Sequence, residues 1–188
     1  MTLDLAGLSD GELAALSLAG RTAAFAAILA RHRDAVYRIV AASIGDPEEA
    51  LDLVQETFVS AHAALRRYDA ARPMRAWLTV IALNKCRDWA RRRAVRRLFA
   101  FARPLDDAAE RVVEDRPGLD VEAEDREALA RAAQAIAALP ASLREVLVLR
   151  TIEGLSQAES AAALGVSEKA IETRLRRARL RLAEQLGR

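Results

Sequence analysis

Residues 155–182, LSQAESAAALGVSEKAIETRLRRARLRL, leave the chain little choice of local structure. Ser156 with Glu159 three positions later is a capping box, in which the serine oxygen accepts the Glu159 amide and the glutamate accepts the Ser156 amide. Leu164-Gly165-Val166 ends that helix, with glycine where a left-handed residue costs least. Ser167 caps a second helix on which Ile171, Leu175, Ala178 and Leu182 recur at offsets of three and four, forming one inward stripe. Arg174, Arg176, Arg177, Arg179 and Arg181 take much of the remaining surface. A short helix, a glycine turn and a basic second helix is the sequence form of a helix-turn-helix. By itself the pattern also fits an ordinary αα corner with a solvated arginine face; the density of arginine favours DNA.

The same helical bias holds throughout. Apolar residues make up 52% of the sequence but aromatics only 4%, so Ala, Leu and Val supply most of the core, and with many Arg and Glu they favour helix over strand. The net charge of +2 hides strong segregation of charge along the chain. Cys86 is the single cysteine, which excludes an intramolecular disulfide and a thiolate zinc site. His32 and His62 lack metal-ligand partners at helical spacing and read as surface or boundary residues, so neither a metal nor a cofactor is expected. Asp52 and Glu56 are four apart, a spacing that suits paired carboxylates, but no histidine, nucleophile or glycine-rich phosphate loop accompanies them, and an enzyme is not expected. No run has the length of a membrane span and no signal peptide opens the chain, so a cytoplasmic protein is expected.

Along the chain, Ser9 caps a short helix over 10–18 that ends at Gly20, and a long helix follows over 21–44. Asp46-Pro47 starts the next, with Asp as N-cap, Pro at the first helical position, and Glu48 and Glu49 suited to the helix dipole; it is expected to run to Tyr68. Residues 69–73 form a loop, and a further long helix enters the arginine-rich run 87–99. Residues 104–127 are acidic and broken by Pro104, Pro117 and Gly118, the composition of a flexible spacer that could also lie against a basic surface. Helix resumes over 121–139, Leu139-Pro140 ends it, and Ser142 is expected to cap a short apolar helix ending at Gly154. The expected fold is therefore all-α: two small helical domains, 1–100 and 122–188, joined by a flexible acidic linker at 101–121, the second domain a helix-turn-helix.

Three stretches together carry a family resemblance. Residues 52–58, DLVQETF, residues 76–92, AWLTVIALNKCRDWARR, and Leu139-Pro140 with 143–150, LREVLVLR, followed by Gly154-Leu-Ser and the helix-turn-helix, occur in order. The chain resembles an extracytoplasmic-function (ECF) sigma factor, a bacterial promoter-specificity subunit of RNA polymerase, from about Phe25 to Leu182. The resemblance implies a first domain that binds core polymerase and recognises and melts the −10 element, and a second that reads the −35 element. It implies core RNA polymerase (the β′ clamp helices and the β flap), promoter DNA and an anti-sigma factor, often membrane-anchored, as partners; no stable homo-oligomer is expected.

Residue by residue, it implies polymerase docking through Asp52, Gln55, Glu56 and Phe58. Single-stranded −10 DNA would meet Asn84, Lys85, Arg87, Asp88, Arg91 and Arg92, with Asn84 and Asp88 on one helix face for base edges and Arg87 and Arg91 for the strand backbone. The loop 69–73 resembles the family's specificity loop, which cradles a flipped base. The −35 duplex would meet Ser167, Lys169, Ala170, Thr173, Arg174 and Arg177 at the start of the recognition helix and on its exposed flank. Trp77 and Trp89 suit the core better than base stacking. Ala170, Glu172 and Ser160 depart from the family pattern, where Thr, a basic residue and an aliphatic residue are common. A helix-turn-helix regulator that binds duplex DNA without polymerase remains the alternative.

Overall fold

Local signals set nearly every helix boundary. The computed structural model describes residues 4–100 and 120–187, and side chains over 4–96 and 127–187. Ser9 starts α1 (Asp10–Leu18) with a full capping box to Glu12. Helix α2 (Thr22–Ile44) ends at Gly45, which is left-handed at φ 68°. The Asp46 side chain accepts from the Glu49 amide and Pro47 occupies the first turn of α3 (Pro47–Ala64). Helix α4 (Met74–Ala100) is the longest. After it come α5 (Asp120–Ala138), α6 (Ala141–Leu147), α7 (Gln157–Leu164) and α8 (Glu168–Gln185). The described secondary structure is helical throughout.

Two expected boundaries move. The α-helix that was to reach Tyr68 stops at Ala64 and tightens into a 3₁₀ turn, Leu65–Arg67, before Tyr68 turns extended. The Tyr68 hydroxyl donates to the Arg72 carbonyl at 2.8 Å and Asp69 Oδ1 accepts the Ala71 amide at 3.0 Å, so local side-chain bonds close the loop in place of another helical turn. Helix α6 starts at Ala141 with Pro140 as its N-cap, not at a Ser142 cap; proline's fixed φ preorganises the entry. After Leu147 the chain widens into a π turn, Val148–Ile152, and leaves through Gly154 at φ 65°.

Helix α2 is the centre of the first bundle and packs against α1, α3 and α4 through Ile28, Ile39, Val40, Leu53, Leu78 and Leu83, all buried. A second cluster joins Leu139, Leu143 and Leu147 to Ala178, and a third joins Val146 and Ala161 to Ile171. The inward stripe expected on α8 is therefore present. The two halves also share a core: Val148, Leu149 and Leu155 are buried in the same cluster as the residues of α1–α4. Gly45 lets α5 approach, since a Cβ there would lie 2.7 Å from the Ala137 Cβ. Most of the expected 101–121 linker, 101–119, lies outside the described residues; Asp120 and Val121 already belong to α5.

Candidate nucleic-acid interface

The start of α8 is held by local capping bonds. Ser167 Oγ accepts the Ala170 amide at 3.2 Å, and the Thr173 hydroxyl donates back to the Lys169 carbonyl at 2.9 Å. Lys169 and Arg177 are exposed, Ala170, Thr173 and Arg174 half-buried, and Ile171 fully buried beneath them. Gln157 of α7 donates to the Glu168 carbonyl at 3.2 Å and bridges the two helices. Helix α8 thus presents its N-terminus, where unpaired amides and the dipole favour phosphate, with a cationic flank below it. Glu172 is exposed on the same helix and Arg176 with it.

On α4, Asn84, Arg87, Arg91 and Arg92 are exposed and Lys85 and Asp88 half-buried. Arg91 pairs with Asp88 one turn away. Arg87 donates from Nη1 to Asn84 Oδ1 at 2.9 Å, and its Nε and Nη2 reach both oxygens of Glu145 on α6 at 2.6 and 2.7 Å. That bidentate bond is the main reason the Arg87 guanidinium holds its proton still more tightly than usual. Trp89 is buried and donates to Glu49 Oε2 at 3.0 Å, with Arg93 over its ring, as befits a core residue at a boundary. Trp77 is half-buried against Tyr68, ring centroids 5.3 Å apart. Cys86 lies between, buried, its thiol pushed up to about 12 chiefly by burial.

On α3, Asp52 and Gln55 are exposed. Glu56 lies 3.6 Å from Lys85 Nζ and 3.8 Å from Arg92 Nη2, so the residues expected to dock polymerase and those expected to meet the strand adjoin on neighbouring helices. Phe58 differs from Asp52, Gln55 and Glu56: it is 3% exposed and meets Phe25 edge-on at 6.5 Å. It floors an apolar groove of about 480 Å³ between α2 and α3 whose rim includes Leu29, Gln55 and Val59. Val59 is 70% exposed.

The sequence motifs missed several residues that the fold brings to these surfaces. Arg75, at the start of α4, donates from Nε to Glu153 Oε2 at 3.0 Å and from Nη2 to the Glu153 carbonyl at 2.5 Å. The Glu153 side chain is 0% exposed, with Arg38 Nε 3.7 Å from its other oxygen. Arg144, buried enough to shed its proton more readily than usual, donates to the Ala137 and Leu139 carbonyls and closes the end of α5. Glu145 had one sequence signal, a carboxylate directly before the apolar run 146–149; Glu153 lies four residues beyond that run and had none.

Comparison with known proteins agrees with this layout. The Sigma-70 region 2 family matches residues 28–96 and the Sigma-70 region 4 family matches 129–182. The RNA polymerase sigma factor CnrH of Cupriavidus metallidurans is 44% identical over 95% of this chain and 94% of its own length. The chain belongs to the ECF sigma factors. The ECF RNA polymerase sigma factor SigM of Mycobacterium tuberculosis is 35% identical over 95% of this chain and 85% of its own. Among solved structures, CnrH in complex with the cytosolic domain of CnrY superimposes on this sigma factor with a TM-score of 0.68, at 37% identity, over 95% of this chain and 97% of that one. The sigma factor RpoE of Bartonella quintana in complex with the anti-sigma factor NepR gives 0.67 at 26% identity, over 87% and 96%. As in that family, both halves of this sigma factor are helical and ordered from polymerase- and −10-type motifs to the helix-turn-helix.

Proposed function

We propose that this ECF sigma factor docks on core RNA polymerase through the α3 face of Asp52, Gln55 and Glu56 and the groove floored by Phe58. It then holds the melted −10 strand on α4, with Asn84 and Asp88 at base edges and Lys85, Arg87, Arg91 and Arg92 along the backbone. Loop 69–73 cradles the flipped base. Ser167, Lys169, Ala170, Thr173, Arg174 and Arg177 meet the −35 duplex. Residues 1–100 and 122–188 act as the two DNA-reading units, and 101–121 as the tether that sums their weak grips. The observation that supports this best is the placement of the three motif sets on three surfaces of one chain, with the docking and strand sets joined through Glu56.

The chain acts by binding and carries out no catalysis of its own. It works in the bacterial cytoplasm; among the described residues no helix is long and apolar enough to cross a membrane. An anti-sigma factor holds it inactive, as supported by the solved pairings of CnrH with CnrY and RpoE with NepR. The exposed apolar side chains of Leu51 and Val59, on the helix that carries the polymerase-docking carboxylates, suit such a partner. The deciding experiment is run-off transcription with purified core polymerase on genomic promoter fragments. Added chain is expected to give discrete transcripts, and Asn84→Ala and Arg174→Ala to reduce them. A chain that ignored core polymerase and bound a duplex operator tightly as a free dimer would instead be a stand-alone helix-turn-helix regulator.

A further inference from the structure

One residue on the outward face of α8 has the opposite charge to its neighbours. Lys169, Glu172, Thr173 and Arg176 recur at offsets of three and four, on the side away from the buried Ile171 and Ala178. Glu172 is exposed, and among the described residues its carboxylate forms no ion pair, although Lys169 lies three positions before it and Arg176 four after. It sits past the first turn, where a carboxylate gains from the helix dipole; Glu168 holds that place. Glu168 also stands one turn before it, and like charges at that spacing weaken a helix slightly. The packing of α8 therefore has no use for this charge, and toward the phosphates of a duplex it is repulsive.

A base edge does have a use for it. In the major groove cytosine presents its N4 amino donor, whereas guanine presents the acceptors N7 and O6 and thymine the acceptor O4. Lysine and arginine only donate, and an ionised carboxylate only accepts. The Thr173 hydroxyl proton is already given to the Lys169 carbonyl at 2.9 Å. Glu172 is thus a charged acceptor set among donors. We propose that Glu172 is a specificity-determining residue that reads a cytosine of the −35 duplex by accepting its N4 amino hydrogen. A guanine or thymine in that place would set acceptor against acceptor, so the residue selects by rejection as well as by attraction. Lys169 and Arg176 on either side hold the helix to the groove against the repulsion that the carboxylate brings. The inference rests on the placement of α8 on the −35 duplex made above and adds a residue outside the set named there.

The test uses the full chain assembled with core RNA polymerase. Duplex promoter fragments, each with one base pair of the −35 element changed, compete for the holoenzyme, and the bound and free pools are sequenced. The unaltered chain is expected to favour cytosine at one position by about tenfold, the discrimination that a single base pair carries. Glu172→Ala, which suits an exposed helix position, is expected to lose that preference and to leave the other positions unchanged. Glu172→Lys is expected to move it to guanine. Glu168→Gln is expected to change no preference. A gain in affinity shared equally by all fragments in Glu172→Ala overturns the proposal, since the carboxylate would then only repel phosphate. Unchanged preferences in Glu172→Ala, alongside altered ones in Lys169→Ala or Arg174→Ala, overturn the cytosine contact alone. Unchanged preferences in all three overturn the placement of α8 on the −35 duplex, and the proposal with it.

Discussion

Ser160 is the residue where this chain most visibly departs from what its packing asks for. It lies on α7 at 0% exposure and its Oγ has no hydrogen-bond partner among the described residues. A hydroxyl withdrawn from water without compensation costs about 1–3 kcal/mol. Ser160→Ala is therefore expected to stabilise the chain by about 1 kcal/mol, seen as a rise in Tm of a few degrees. Glu159, its neighbour, behaves differently. Its capping-box bonds from the Ser156 hydroxyl and amide hold its carboxyl below the ordinary glutamate value. A depressed folded value means that this carboxylate's contribution is present above the unfolded value and lost as pH falls through the folded one. Glu159→Ala should thus lower Tm at neutral pH, by a margin that shrinks in acid. A pH-independent margin in paired thermal melts would show that the carboxylate charge plays no part.

At the scale of elements, two glycines that look equivalent in sequence differ in what surrounds them. Gly45 and Gly165 both end helices in the left-handed region, at φ 68° and 65°. A Cβ at Gly165 would meet open space, whereas one at Gly45 would lie 2.7 Å from Ala137 of α5. Gly165→Ala carries the backbone cost alone, about 1–2 kcal/mol. Gly45→Ala adds a clash between carbons that neither helix can relieve without moving, so a loss of about 3 kcal/mol or more is expected. Chemical denaturation of the two variants side by side measures the difference. The elements themselves were largely legible beforehand, because Ser9, Asp46-Pro47, Gly45, Ser156, Gly165 and Ser167 act on residues within four positions. The α3 end at Ala64 and the Pro140 start of α6 were not, because each depends on competing local bonds that periodicity does not record.

For the whole molecule, the seam between the halves decides how it unfolds. Leu149 is fully buried within the cluster of α1–α4 although it belongs to the C-terminal half. Leu149→Ala should cost about 2–5 kcal/mol. It should also turn one cooperative melt into two transitions, since the remaining cores of the halves are separate clusters. Calorimetry resolves the two cases, and a single transition in the variant would mean that the seam does not couple the halves.

The family blocks at 52–58, 76–92 and 139–182 were readable in order, as were the cationic faces of α4 and α8, because side-chain type at helical spacing settles which face is apolar and which is charged. The sequence by itself therefore determined most of the helices and their caps, the inward stripes and the family. The tertiary structure alone decided that Phe58 would floor a groove, that Glu56 would join Lys85 and Arg92, and that Arg87 would be held by a carboxylate 58 residues away. Such pairs form only when loop closure and the packing of whole helices bring them together, and no short-range pattern records that.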